Sequence, residues 1–399
     1  MLCYAIRITK TFVRVVRTGR YQMNVGLLGI GTVGGAFYKL ALEQGNINVK
    51  SLLSRRERPG LECRVTSDIN DIINDPEIDC VVEVLGGLHP AYEYISAALK
   101  AGKSVVTANK AVVCEYYDEF LDLAKSSGSA FRCTAAAGGG IPWLESLSRI
   151  SQLDEIDSIE GILNGTTNFI LSAMTNSGAD YAESLKEAQR LGYAEADPTS
   201  DVEGFDSMRK VVISANVAFG VSVPKEDVPC FGISTCSSED IKAFGDAGKV
   251  CKLIGHASKK DDRISACVEP MLFDKGSATA GIEGGYNIIT LKAKRVMTQS
   301  FTGLGAGGDP TGANVLADCI SIANGAKGFY TDKAVRTSVD NSVLKQNYYV
   351  RTSAEIPFEI TGEMGSGAIT GKVSVSDMHA FASKVRKDGG SIFIAAIGE

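Results

Sequence analysis

The chain has 399 residues, 44% of them hydrophobic and 22% charged, which is enough apolar material for two or three domain cores. A formal net charge of −6 leaves no basic excess to neutralise phosphates, so a nucleic-acid partner is excluded on electrostatic grounds. No apolar run approaches the ~18 residues of a membrane span, so no membrane partner is expected. The ten cysteines are scattered without paired spacing, as in a reduced cytoplasmic chain.

Residues 1–22 carry Arg7, Lys10, Arg14, Arg17 and Arg20 and no acid. Basic, acid-poor segments occur as targeting peptides. The lack of serine and of an apolar stretch with a cleavage site favours a plain basic extension ahead of Met23. Met23–Leu28 is then an apolar run ending in Gly29-Ile30-Gly31-Thr32-Val33-Gly34, with a helical pattern at Ala36–Glu43. Strand, Gly-x-Gly-x-x-Gly and helix in that order form a dinucleotide fingerprint. Gly29 allows the tight turn, Gly31 lets backbone approach a pyrophosphate, and Gly34 lets helix pack on strand. The helix N-terminus then meets the phosphates.

Further strands are expected at Val49–Leu53, Asp79–Leu85 and Ser104–Ala108, and helices at Ala91–Ala101 and Tyr117–Ser126. The alternation implies an α/β fold, a Rossmann-type doubly wound parallel sheet over 23–150. A helix at Ala313–Ala323 returns to complete it near 310–340. After the second strand, where an NAD enzyme would place a carboxylate, stand Ser54-Arg55-Arg56-Glu57-Arg58. Arg55 or Arg56 can clamp a 2′-phosphate, so NADP is expected over NAD; the alternative is a solvated basic loop. Gly86 ends the third strand, and Lys110 follows VVTAN just past the carboxyl end of the next, the edge where ligands bind in such sheets.

Residues 151–309 read as a second α+β domain. A helix at Trp143–Ile150 leads to a strand at Ile156–Leu163, the NGTTNF segment at Asn164–Phe169 and a polar, loop-like stretch at Ala188–Gly204. A long helix then begins near Asp206 and ends before Gly220, and strands dominate 264–301. Asp206 and Lys210 are four residues apart on one face of that helix start. A lysine held beside an aspartate on an apolar helix suits a proton donor; a capped helix with an ordinary salt bridge is the alternative reading. Residues 345–399 form a short α+β segment, with strands at Tyr348–Thr352, Gly371–Val375 and Ser391–Ala396 and a helix at Asp377–Arg386.

The run AQRLGYAEADPTSDVEGFDSMRK at 188–210 resembles the signature of the homoserine dehydrogenase family without a gap. GILNGTTNFI at 161–170, AGKSVVTANKA at 101–111, EVLGG at 83–87 and GLGAGGDPTGANVLAD at 303–318 are similar to other family segments, and the likeness covers roughly 23–340. The resemblance implies NAD(P)-linked interconversion of aspartate 4-semialdehyde and homoserine by hydride transfer. Lys210 would be the proton donor and Lys110 a second catalytic lysine. Glu195, Asp201, Asp206, Gly165, Thr166 and Tyr193 would hold the amino-acid substrate. Gly29, Ile30, Gly31, Thr32, Val33, Gly34, Arg55, Gly86, Lys110, Gly192, Glu195, Gly305 and Gly307 would border the cofactor. A homodimer through the second domain is implied as well.

The family also implies a monovalent cation on backbone carbonyls, here those of Ala137, Gly139 and Ile141. Thr134 stands where the family often has Glu, so weak or absent cation dependence is expected. NYYVRTSAEIP, from Asn347, resembles the first strand of a ligand-sensing ACT domain. About 52 residues remain from Tyr348, short for a β-α-β-β-α-β unit. The expectation is an abbreviated ACT-like segment that serves stability or dimerisation, with weak or absent threonine inhibition. Two other functions stay in view: a semialdehyde dehydrogenase with Cys133 as nucleophile, and an NADP-binding redox sensor without turnover. The first needs a histidine base, and none of His89, His256 and His379 lies near Cys133 in the chain. The second has no use for the Asp206–Lys210 pair.

Overall fold

The computed structural model describes residues 23–329 and 335–398, so the basic segment expected at 1–22 lies outside the described residues. The first sheet is assembled from β1 (Met23–Leu28), α1 (Thr32–Gln44), β2 (Ile47–Leu53), β3 (Arg64–Thr66), α2 (Asn70–Ile73), β4 (Cys80–Glu83), α3 (Ala91–Lys100), β5 (Ser104–Thr107), α4 (Lys110–Ser127) and β6 (Phe131–Arg132). Its six strands are parallel in the order β3-β2-β1-β4-β5-β6. Short Val- and Leu-rich strands of this kind are covered on both faces, and all four residues of β4 are buried. Leu28 lies opposite both Leu53 of β2 and Glu83 of β4, so three strand ends share one edge. The order reverses between β1 and β4, which opens a ligand crevice at that edge.

The chain then runs through α5 (Trp143–Ser151), β7 (Ile156–Ile162), α6 (Gly165–Ser177), α7 (Tyr181–Arg190), α8 (Thr199–Val202), α9 (Phe205–Phe219), β8 (Val221–Ser222), α10 (Ser238–Asp246), β9 (Lys249–Lys260), β10 (Arg263–Asp274), β11 (Tyr286–Ala293) and β12 (Met297–Leu304). Helix α11 (Gly308–Ala323) returns to the first sheet and lies on α1. A Cβ at Gly312 would stand 2.8 Å from the Phe37 nitrogen, so these helices approach closer than any side chain would allow. Val315, Leu316 and Cys319 are buried there with Phe37, Tyr38 and Ala41, each large side chain contributing roughly 1.5–3 kcal/mol by leaving water. Beyond it lie β13 (Val335–Arg336), β14 (Lys345–Gln346), β15 (Tyr348–Thr352), β16 (Ile360–Met364), β17 (Gly367–Thr370), β18 (Val373–Ser374), α12 (Val375–Lys387) and β19 (Ile392–Ile397).

The second sheet has nine strands in the order β12-β11-β7-β9-β10-β19-β15-β17-β16. It joins the final segment to the middle of the chain through the parallel pairing of β10 with β19, Met271 opposite Ala396 and Leu272 opposite Ile397. Within that segment the order β19-β15-β17-β16 has one crossover helix, α12. An extended stretch links β15 to β16 where a β-α-β-β-α-β unit carries its first helix. Successive tyrosines point to opposite faces, as strand geometry requires. Tyr348 donates to buried Glu269 at 3.1 Å, and Glu269 also meets His379 of α12 at 2.9 Å. Tyr349 donates to Asp240 of α10 at 2.6 Å.

Several element expectations change. The strand expected at Gly371–Val375 is only β18, paired with β14; the sheet strand is β17, in a hairpin with β16 turning at Gly365 (φ +57°). β16 is a mostly exposed edge strand of five residues with a glycine at its centre, which weakens its strand signal. The helix expected from Tyr117 starts at Lys110, because non-helical backbone at Tyr116 (φ −121°, ψ 23°) interrupts its pattern. The NGTTNF segment opens α6, and the polar stretch contains the end of α7 and all of α8. No described helix is long and apolar enough to cross a membrane.

Candidate functional site

The site's first wall is the glycine turn after β1. Gly29 has φ +97°, and a Cβ there would stand 2.9 Å from Leu85 Cδ2. At Gly34 it would stand 2.3 Å from the Gly29 carbonyl oxygen, whereas at Gly31 it meets nothing within 4 Å. Packing therefore imposes the outer glycines, and the middle one borders open space. Gly31 caps α1 with no side-chain hydrogen bond and no acid follows in the first turn, so the helix offers bare N–H groups to an anion. A cleft of about 940 Å³ opens there, lined by Gly29, Ile30, Gly31, Ser54, Arg55, Arg56, Arg58, Leu85 and Gly86 among others. Arg55, Arg56 and Arg58 make one part of its lining basic. Val33 packs into the core beneath. A Cβ at Gly308 would stand 3.0 Å from Thr32 Cγ2, so the N-termini of α1 and α11 meet. Gly307 (φ +114°) caps α11, and Gly305 lies so close to Asn287 that a Cβ would stand 2.0 Å from Nδ2.

The second wall is the carboxyl edge of β4 and β5. Glu83 is fully buried and accepts hydrogen bonds from Thr107 Oγ1 (2.6 Å) and the Leu85 N–H (2.8 Å). Burial pushes its carboxyl above the ordinary range, and those donors hold it back. Asn109 caps α4 through Val112 N–H and donates to the Gly87 carbonyl at 2.6 Å. That tether fixes the start of α4, and with it Lys110.

Across the crevice, α9 presents Asp206 and Lys210 one turn apart. Asp206 is buried, with Lys210 Nζ 2.8 Å from Oδ2 and Lys110 Nζ 3.0 Å from Oδ1. One carboxylate thus joins a lysine of the first sheet's edge to a lysine of α9. Asn164, the N-cap of α6, donates through one nitrogen to Asp206 Oδ2 (2.9 Å) and Asp201 Oδ1 (2.7 Å). Lys210 also donates to the Leu163 carbonyl at 2.6 Å. Burial by itself would raise the Asp206 carboxyl, but Lys210 and Lys110 outweigh it and hold it well below the usual range. Each attraction is roughly 5 kcal/mol gross at an effective dielectric of ~20. The Lys110 share is discounted because its side chain is 40% exposed. Asp201 is pushed the other way, by burial and then by the Asp206 charge.

Thr166 donates to the Tyr193 carbonyl at 2.6 Å, and Tyr193 stacks on Phe169 at 4.6 Å. Gly165 lies against Gly285, where a Cβ would stand 2.9 Å from the carbonyl oxygen. Gly192 (φ +81°) closes the turn after α7. Glu195 is exposed, its backbone carbonyl accepting from Gln189, and no ion pair joins its carboxylate to the Asp206 hub. The structure therefore brings Lys110, Asp201, Asp206 and Lys210 together and leaves Glu195 at the rim.

Two of the three carbonyls named for a cation, those of Gly139 and Ile141, already have a partner. The carbonyls of Gly139 and Ile141 both accept from Asn314 Nδ2, at 2.6 and 3.0 Å. Thr134 donates its N–H and hydroxyl to Asp318, which pairs with Arg132 at 2.9 Å. The Cys133 nucleophile fails, since the thiol is fully buried and burial drives it far above the range where a thiolate forms. Sequence reasoning missed Glu83, Asn164 and Asn314. Asn164 alone left a signal, as an asparagine directly ahead of a helix.

Two family models match the chain: homoserine dehydrogenase over residues 142–320, and homoserine dehydrogenase, NAD binding domain, over 29–133. The chain is 42% identical over 320 residues to the homoserine dehydrogenase of Corynebacterium glutamicum, spanning 75% of this chain and 72% of the relative. It is 40% identical over 316 residues to that of a Synechocystis species, spanning 75% and 73%. A solved homoserine dehydrogenase from Thiobacillus denitrificans superposes with a TM-score of 0.87 at 31% identity, covering 96% of this chain and 99% of the other.

Proposed function

The chain belongs to the homoserine dehydrogenase family of NAD(P)-dependent oxidoreductases, and from that premise we propose that Lys210 donates the proton in aldehyde reduction while Lys110 and Asp206 position it. The observation that carries this reading is the buried Asp206 carboxylate shared by both lysines. When bound, the nicotinamide supplies or accepts the hydride. Lys210 commits N–H groups to Asp206 and to the Leu163 carbonyl, which leaves a third for the substrate oxygen. As charge develops on that oxygen in the reduction, Lys210 gives up its proton to it; in the reverse direction it takes the proton back. Asp206, kept ionised by the two ammonium groups, holds Lys210 in place. Lys110 adds positive potential at the same point.

Asp201 and Glu195 are the acids for the substrate's α-ammonium, with Gly165, Thr166 and Tyr193 as its wall. The turn from Gly29 to Gly34 receives the pyrophosphate, and Gly86, Gly192, Gly305 and Gly307 border the cofactor. Arg55, with Arg56 beside it, favours NADP over NAD by clamping the 2′-phosphate. The chain works as a cytoplasmic homodimer through the nine-stranded sheet. Every cysteine among the described residues is a free thiol, which suits a reducing compartment. The edge strand β12 alternates exposed and half-buried residues and is available for pairing. The final segment serves stability rather than threonine sensing, because its sheet is continuous with that of the middle of the chain.

Lys210→Met tests the assignment. Turnover is expected to fall by ~10²–10⁴, while NADPH affinity, read by fluorescence titration, stays near that of the unmodified protein. Turnover within a few-fold of the unmodified protein would show that another group moves the proton.

A further inference from the structure

We propose that the side-chain amide of Asn314 takes the place of the monovalent cation implied by the family resemblance, closing the hinge between the two sheets without a metal ion. The hinge is the stretch Thr134–Pro142, which carries the chain from β6 to α5. Two of its carbonyl oxygens, those of Gly139 and Ile141, converge on one nitrogen, Asn314 Nδ2, at 2.6 and 3.0 Å. Only the NH₂ end of an amide can donate to two carbonyls, so chemistry fixes the orientation of this side chain. Both N–H groups are then used. An ion bound by these oxygens would have to stand where Nδ2 stands, and Asn314 is buried on α11.

The surroundings keep the hinge from opening to admit both. A Cβ at Gly139 would stand 2.4 Å from the Gly305 carbonyl carbon, and one at Gly140 would stand 2.5 Å from Pro310 Cβ. The Gly140 N–H donates to the Leu304 carbonyl at 3.0 Å, and the Ile141 carbonyl accepts a further bond from Trp143 N–H at 2.7 Å. At the position where the family often carries Glu stands Thr134, and the Asp318 carboxylate it contacts is taken by Arg132. Of the three carbonyls of Ala137, Gly139 and Ile141, those of Gly139 and Ile141 are already satisfied by N–H groups, and the carboxylate that Thr134 contacts is already paired. That is the electrostatic environment of an amide, not of a cation.

The test uses the full chain in potassium, sodium and tetramethylammonium chloride at one ionic strength, reading both kcat/KM and Tm. The unmodified protein is expected to vary by less than about twofold, without saturation. Asn314→Ala frees the two carbonyls. In tetramethylammonium its kcat/KM is expected to drop by about tenfold, or ~1.4 kcal/mol, and sodium or potassium restores it saturably. The same ions raise the variant's Tm by about 2–4 °C. The Tm reading stands whether or not Lys210 is the proton donor. Saturable activation or stabilisation of the unmodified protein by either ion would overturn the proposal, as would an Asn314→Ala protein that is fully active and indifferent to ions. If that variant does not fold, the ion series on the unmodified protein still decides.

Discussion

The two sheets build their halves of the site by opposite means. The six-stranded sheet takes all its strands from residues 23–132, and its contribution is mostly backbone: a switch in strand order, a glycine turn and a helix N-terminus. The nine-stranded sheet takes strands from 156–162, 249–304 and 348–397. The half of the site beside it is made of charged side chains: Asp201 on α8, and Asp206 and Lys210 on α9, which packs on that sheet. Where backbone makes the site, geometry leaves little choice of residue. Where side chains make it, the fold can survive a substitution that removes the chemistry.

The largest expected effect tests the backbone half. Gly34→Ala places a methyl group 2.3 Å from the Gly29 carbonyl oxygen, so the turn must shift. NADPH affinity is expected to fall by at least ~100-fold, since the phosphates lose their aligned N–H groups. Gly31→Ala meets nothing within 4 Å and is expected to fold with an unchanged Tm while still weakening cofactor binding through contact with the pyrophosphate. Equal and small effects of the two substitutions on binding would show that the turn does not cradle the cofactor.

Much of the first sheet is legible in the sequence because each element announces itself locally, by an apolar run, a glycine pattern and a helix of the right length. The Asp206–Lys210 pair was legible for the same reason, as two residues one helical turn apart. What lies beyond local pattern was not. The contact of Asn314 with Gly139 spans 175 residues, and nothing near Asn314 distinguishes it from other polar helix residues. β16 is only five residues long, exposed at the edge and centred on Gly362, so it gives little local sign of a strand. His379 has no partner within its own segment; its partner, Glu269, lies 110 residues earlier on β10. The start of α4 was hidden by the break at Tyr116. Long-range pairings of this kind are decided by tertiary packing, which single-chain periodicity does not encode.

The junction of the final segment with the rest of the long sheet gives the next effect in size. Asp240 of α10 is fully buried and pairs with Arg351 of β15 at 2.7 Å, with Tyr349 donating to the same oxygen at 2.6 Å. Burial raises its carboxyl, and the hydrogen bonds from Arg351 and Tyr349 more than reverse this, leaving it below the ordinary range. Asp240→Ala strands Arg351 and is expected to cost about 3–5 kcal/mol in urea unfolding. The depressed folded value sets the sign. The ion pair's contribution is full above the ordinary aspartate range and is lost as pH falls through the depressed value. The difference between the two proteins should therefore shrink only in acid. A cost below about 0.5 kcal/mol would mean that the final segment is not held by this ion pair.

The smallest expected effect concerns Lys252 on β9, which separates a buried charge from a used one. Its side chain is buried, and Nζ donates to the Ile282 carbonyl (2.5 Å) and to Asn168 Oδ1 (2.9 Å), both neutral acceptors. Asn168 in turn donates to the carbonyls of Ile282, Gly284 and Tyr286, and a Cβ at Gly285 would stand 2.7 Å from the Tyr193 ring. Lys252 therefore anchors the loop that backs the wall of the site, without touching the Asp206 hub. Burial brings its pKa down to about 8. In the unfolded chain the value returns to roughly 10.4. Between those two values the unfolded state holds a proton that the folded state has released, so stability rises with pH across that window. Below pH 8 the cost of the buried charge is fully present. Lys252→Met removes the titrating group, so its stability should be flat across the same window relative to the unmodified protein. The loop, having lost its tether, should raise KM for homoserine by a few-fold, about 1 kcal/mol or less, with kcat little changed. A parallel pH response in both proteins would show that Lys252 keeps its charge throughout, paired with an acid such as Glu283 rather than buried against neutral oxygens.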